Sequence, residues 1–212
     1  MYTSDRGPLA GERRIRMNLK GTRTLENLLK AFAGESQAQA RYMMYAKVAR
    51  DEGLEQIAAI FEETALNEAE HGKRFFSLAA AGLEGEMPAD VEIQAAYPIA
   101  IGNTVENLKA AAAGEHHEWA EMYPEFADIA EAEGFKEIAT AFRMIAKAET
   151  AHETRYRKLV ENLEKGVVFQ RDGKYFWKCR NCGYIHEGTA APKFCPACQY
   201  PQAYFEIFVE NY

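Results

Sequence analysis

The sequence predicts a mainly α protein: a four-helix bundle followed by a small β-rich domain built on cysteine knuckles. Three observations predict it. Apolar residues recur at helical spacing through four long stretches between residues 21 and 166, with Ala, Glu, Gln and Arg filling the gaps. After Gly166 the composition turns to Val, Phe, Tyr and Trp, broken by Gly and Pro. All four cysteines, Cys179, Cys182, Cys195 and Cys198, fall in that second part. The chain thus divides into a lead (1–20), a bundle (21–166) and a C-terminal domain (167–212).

The lead holds Gly7, Pro8, Gly11 and several arginines without helical periodicity and is expected to be flexible, with Met17 as an alternative natural start. The first helix begins at Thr22, where Thr22 or Thr24 serves as the cap and Leu25, Leu28, Leu29 and Phe32 form the apolar stripe; it runs to Gly53. A second amphipathic run, Leu54 to about Ala81, stops at Gly82. Residues 82–101 contain Gly85, Pro88 and Pro98 and read as a crossover. The third helix opens near Asn103-Thr104 and reaches Gly134; Pro124 inside it must kink it or sit where a backbone donor is already lost. The fourth runs from Phe135 to about Lys165. Two helix pairs joined by a long link make a four-helix bundle. The tail of about 45 residues is too small to rest on an apolar core alone, so a metal is expected as its staple.

Composition narrows the partners. The 212 residues carry 25 basic and 32 acidic side chains, a formal charge of −7, and 48% are hydrophobic, enough to bury a core. An acidic balance argues against nucleic acid as the main partner. No apolar run approaches the ~18 residues of a membrane span, and the N-terminus lacks the apolar stretch of a secretory signal. Cysteines clustered in one short segment point to a local metal site and a reducing cytoplasm rather than a disulfide framework.

An internal repeat carries the chemistry. Ala33-Gly34-Glu35 recurs 80 residues on as Ala113-Gly114-Glu115. Further along the offset is 81: Tyr42 matches Tyr123, Gly53 matches Gly134, Phe61 matches Phe142, and Glu68-x-x-His71 matches Glu149-x-x-His152. The second half has gained one residue between Glu115 and Tyr123, most cheaply absorbed as a π-bulge. Each Glu-x-x-His pair puts a carboxylate and an imidazole one turn apart on one helix face. Two Glu and two such pairs pointing into one interior match the known ligand pattern of ferritin-like di-iron carboxylate bundles. Either motif alone is common in a chain with 27 Glu; their shared register is what makes them specific.

Glu118 matches Gln37 or Ala38 in the first half, so Glu115-x-x-Glu118 adds a fifth carboxylate facing the interior, the alternative being a solvated helix face. Glu121 and Glu125 are assigned to such a face. Tyr42 and Tyr123 are either core tyrosines or donors to a ligating carboxylate. His116 and His117 have no Glu three residues before them and are not taken as ligands. In the tail, Cys179-x-x-Cys182 and Cys195-x-x-Cys198, twelve residues apart, present four thiolates suited to zinc or a single iron.

Gly34-Glu35-Ser36-Gln37-Ala38, the two Glu-x-x-His pairs, Gly114-Glu115-His116-His117-Glu118, and a tail with Cys182-Gly183-Tyr184 and Cys195-Pro196-x-Cys198 together resemble rubrerythrin over roughly residues 17–212. The resemblance implies a ferritin-like bundle followed by a rubredoxin-like domain, two non-haem irons and one iron in the four-cysteine site. It implies a peroxidase that reduces hydrogen peroxide to water in oxidative-stress defence, with electrons relayed through the rubredoxin-like iron. It further implies that Glu35, Glu68, Glu115, Glu118, Glu149 and His152 bind the two irons. His71 would replace Glu118 on one of them when the site is reduced. Expected partners are hydrogen peroxide, an electron-donating protein or reductase (by family, a nicotinamide-dependent flavoprotein), and a second copy in a head-to-tail homodimer or larger homo-oligomer. Rival readings are a ferritin-like ferroxidase, an oxygen-reducing di-iron protein, and a non-enzymatic metal module with a structural zinc tail.

Overall fold

The computed structural model describes residues 18–211; most of the predicted lead, 1–17, lies outside the described residues. Helix α1 spans Arg23–Asp51 and α2 Glu55–Gly82. The third long helix is continuous but composite: α3 (Thr104–His117), a π-helical turn (Glu118–Met122) and α4 (Tyr123–Ala132). Helix α5 spans Lys136–Glu164. The inserted residue is absorbed as expected: the Tyr123 amide donates to the Glu118 carbonyl five residues back, and Pro124 follows in the first turn of α4.

Of the two predicted caps, Thr22 takes the role, accepting from the Leu25 amide at 3.1 Å. Thr24 is instead buried, and its amide and hydroxyl donate to Glu133 at 2.9 and 2.5 Å. Asn103 and Glu106 form a capping box on α3. A second, reciprocal capping crosses the repeat. Glu133, in the turn before α5, accepts from the first amides of α1; Glu52, 81 residues earlier, accepts from the Thr104 amide at 3.3 Å. Each half thus closes the N-terminus of the other half's first helix.

Helix α2 stops at Gly82, as the sequence predicts, and the glycine has a packing reason: a Cβ there would meet Leu19 at 2.2–2.9 Å. Leu19, assigned to the lead, is fully buried there and its amide donates to the Gly82 carbonyl at 2.9 Å. Residues 88–102 form an irregular crossover. Its Tyr97 hydroxyl donates to the Lys30 carbonyl, and the Tyr45 hydroxyl of α1 donates to Ala100.

Two aromatic clusters fill the bundle, each drawing on both halves. One stacks Tyr42, Phe61 and Tyr156 with ring centroids 5.2–6.0 Å apart. The other stacks Tyr123, Phe142 and Phe75 at 4.9–5.8 Å. These are the same positions after a shift of 81. The tail holds a three-stranded antiparallel sheet in the order β2–β1–β3, with β1 Gln170–Cys179, β2 Ile185–Ala190 and β3 Phe205–Ile207. Trp177 and Phe205 are its buried centre. Among the described residues no helix is long and apolar enough to cross a membrane.

Candidate metal centres

Between the two aromatic clusters the repeat brings its acids and imidazoles together. Glu35, Glu68, His71 and Glu149 form one four-ligand cluster, and Glu68, Glu115, Glu149 and His152 a second, with ligand atoms in each within 4.8 Å of one another. Glu68 and Glu149 belong to both. Each turns one oxygen to each imidazole. Glu68 places Oε2 3.0 Å from His71 Nδ1 and Oε1 3.2 Å from His152 Nδ1; Glu149 places Oε1 2.9 Å from His71 and Oε2 2.8 Å from His152. That is the arrangement of two bridging carboxylates between two positions, each completed by a private Glu and His.

The private carboxylates are held crosswise. The Tyr42 hydroxyl donates to Glu115 Oε1 at 2.5 Å, and Tyr123 donates to Glu35 Oε1. Each tyrosine thus serves the carboxylate of the opposite half. Burial, followed by the neighbouring carboxylates, pushes both phenols well above their ordinary range, so they stay protonated donors.

The other oxygens of Glu35 and Glu115, one oxygen of Glu68, both of Glu149 and His152 Nδ1 are buried without a hydrogen-bond partner. Lone pairs that approach within 2.8–3.2 Å yet miss hydrogen-bonding directions converge on common points between them, which is what a cation requires. Charge gives the same answer. Burial first, then neighbouring carboxylates, pushes Glu35 well up, and burial pushes Glu115 up to about 8. Burial opposes charge on His71 and His152, but the acids around them outweigh it and raise them to about 9 and about 12. Glu149, although buried, is held below the ordinary range by both imidazoles. Glu35, Glu115, His71 and His152 thus favour their protonated forms, as expected where carboxylates crowd around a place for positive charge. The donor set, carboxylate oxygen with one imidazole per position, suits two irons.

Glu118 is half-buried and belongs to neither four-residue group, but it faces them: burial, then Glu115, Glu149 and Glu68, pushes its carboxyl well above the ordinary range. Its Oε1 would be 4.0 Å from a Cβ on Gly34. His71 stands in the cluster instead. His116 and His117 face Glu153 and Glu121 rather than the cluster. Sequence reasoning missed Glu153, a buried sixth acid beside His152. A carboxylate on an acidic helix reads as solvated, and the only available signal was its repeat counterpart, Gly72.

In the tail, Cys179 and Cys198 Sγ lie 3.8 Å apart and Cys182 and Cys195 Sγ 3.7 Å apart. Four thiolates about 2.3 Å from one ion form a tetrahedron with edges of about 3.8 Å. The two knuckles are built alike. Gly183 and Gln199 follow them in the left-handed region at φ 79° and 62°, and their amides donate to the Cys179 and Cys195 carbonyls, both at 2.8 Å. The Asn181 side chain and the Tyr200 amide hold the Cys198 thiol down to about 6, favouring the thiolate. Cys182 is exposed whereas Cys179 and Cys195 are buried, so the site opens on one side.

Comparison with known proteins agrees with both centres. The family model described as rubrerythrin matches residues 26–160, and the rubrerythrin rubredoxin-like domain matches 177–206. The chain is 57% identical to rubrerythrin of Clostridium perfringens over 196 residues, 92% of this chain and 99% of that protein. It is 52% identical to rubrerythrin of Nitratidesulfovibrio vulgaris over 92% of this chain and 99% of that one. Partially reduced nigerythrin aligns over 98% of this chain and all of its own, at 32% identity and a TM-score of 0.58.

Proposed function

The chain belongs to the rubrerythrin family, and on that premise we propose that it is a non-haem di-iron peroxidase serving oxidative-stress defence. The family's members are redox enzymes, and this chain carries a Glu/His site for two irons and a four-cysteine site for one. One observation carries the proposal: a pair of positions bridged by Glu68 and Glu149 shares its chain with a four-thiolate site suited to one-electron transfer. Two irons held by Glu35, Glu68, His71, Glu115, Glu149 and His152 would supply the two electrons that O–O cleavage consumes, and one iron held by Cys179, Cys182, Cys195 and Cys198 would supply one-electron transfer. The balance is H2O2 + 2e⁻ + 2H⁺ → 2H2O.

The protein's own residues do the rest. Glu35 with His71, and Glu115 with His152, complete the two positions. Tyr42 and Tyr123 orient the private carboxylates by donating to one oxygen and leaving the other for metal. Glu118 and His71 would be alternative ligands for one position, hard oxygen against softer nitrogen, a reading supported by His71 lying among Glu35, Glu68 and Glu149. In the proposed homodimer the cysteine site of one subunit feeds the bundle of the other, and an external reductase feeds the cysteine site.

The test is anaerobic stopped-flow mixing of the reduced protein with peroxide or dioxygen. Faster reoxidation by peroxide is expected; faster reoxidation by dioxygen overturns the peroxidase reading in favour of an oxygen-reducing or ferroxidase activity. Replacing Cys179 by Ser should abolish turnover with an external donor while sparing a single turnover with peroxide.

A further inference from the structure

We propose that Glu153 is a positioning residue of the di-iron site, latching the π-helical turn to α5 and so fixing where Glu118 stands. Glu153 follows His152 and is 6% exposed. The Trp119 indole donates to its Oε2 at 2.5 Å, His116 Nδ1 lies 3.2 Å from the same oxygen, and Arg157 Nε donates to Oε1 at 2.5 Å. Trp119 follows Glu118 and His116 follows Glu115. One carboxylate, itself next to His152, therefore ties together the immediate neighbours of Glu115 and Glu118. The His116 and Trp119 rings pack edge to face at 5.0 Å, so the latch is packed as well as bonded.

The repeat explains why only one half has it. The counterpart of Glu153 is Gly72, where a Cβ would lie 3.3 Å from the Glu35 Cβ and 3.5 Å from Phe32. Helices α1 and α2 close directly on each other there, and α1 has no inserted residue. Ser36, the counterpart of His116, bonds within its own helix, to the Phe32 carbonyl at 2.7 Å. In the second half the insertion replaces regular helix bonds with a π-turn, whose register depends on what packs against it. Glu118 stands on that turn, and the partly buried, charge-assisted bonds of Glu153 hold it.

Three variants of the full chain test this: Glu153→Ala, Glu153→Gln and Trp119→Phe. Glutamine keeps an oxygen for the Trp119 N–H and turns its amide toward Arg157, which is 62% exposed and free to move away. Ferrous-ion affinity of the bundle is read by anaerobic titration, and the di-ferrous geometry by near-infrared circular dichroism. Far-UV circular dichroism reports that the bundle is folded, and the visible spectrum of the four-cysteine iron that the tail is. E153A and W119F should each lower the affinity by roughly 10–100-fold, the usual effect of losing a partner behind a ligand. Both should change the di-ferrous spectrum, and E153Q should restore affinity and spectrum. Wild-type affinity and spectrum in W119F, with only a lower Tm, would show an ordinary structural contact and overturn the proposal. If E153A does not fold, W119F and E153Q decide alone. These readouts do not depend on which oxidant the site consumes.

Discussion

Helices α1 and α2 hold Glu35, Glu68 and His71 on two unbroken helices, whereas α3 to α5 hold Glu115, Glu149 and His152 around an inserted turn. Ligands, tyrosines and aromatic clusters repeat faithfully between the halves. What surrounds them does not: the second half adds Glu118, Trp119 and Glu153, where the first has Gln37 or Ala38 and the tight contact at Gly72. Metal binding follows the symmetric part, because two like ions need like ligands. The proposed exchange between Glu118 and His71 belongs to the asymmetric part, since Glu118 has no carboxylate counterpart in the first half.

The largest test separates shared from private ligands. E149A should lower iron affinity at both positions by more than the ~10–100-fold of a lost outer partner. E35A should do so mainly at one position. Anaerobic ferrous titration counts the ions, and equal losses from both variants would break the bridging assignment.

Next come the crossed tyrosines: Y42F and Y123F should each reduce affinity or turnover by roughly 10–100-fold. The ratio of the two effects measures how far the inserted turn has made Tyr123 special.

The glycines sharpen the same contrast through stability. G72A should lower the Tm, since overpacking against Glu35 costs ~1–3 kcal/mol against a ~1 kcal/mol gain in helix propensity. Gly114 has open space around it, so G114A should be stabilising by up to ~1 kcal/mol.

The smallest test concerns the reciprocal caps. Burial raises the Glu133 carboxyl, but donors from Thr24 and Arg23 outweigh it and hold it below the ordinary range. Its stabilisation is therefore complete above the ordinary carboxylate range and fades as pH falls through the lowered value. E133Q should lose about 1 kcal/mol at neutral pH and converge with the parent in acid, read as Tm against pH. E52Q should lose less, because its bonds to Thr104 are longer and α3 has its own Asn103 box.

Much of this was legible because it is local or periodic. Helix ends at Gly53, Gly134 and Gly166 follow from their left-handed backbone, the ligand pairs from turn spacing, and the π-turn from a change of offset from 80 to 81. The illegible features are contacts between residues far apart in sequence. Leu19 on Gly82, Glu133 on Thr24 and Glu153 on Trp119 join chemically ordinary residues whose importance comes only from proximity. Glu118 shows the opposite limit: its place in the motif is plain, yet the distance at which it faces the cluster, from the start of the π-turn, is not readable from spacing.

The crossed tyrosines have a consequence for ancestry. Since Tyr42 serves Glu115 and Tyr123 serves Glu35, neither helix pair finishes its own site, yet each supplies what the other lacks. Two identical two-helix chains would satisfy the same rule with no crossover between them. Such a pair is bound to mirror every mutation in both copies. One continuous chain is free of that constraint, and the single residue gained between Glu115 and Tyr123 is a change that two identical chains would have to carry on both sides.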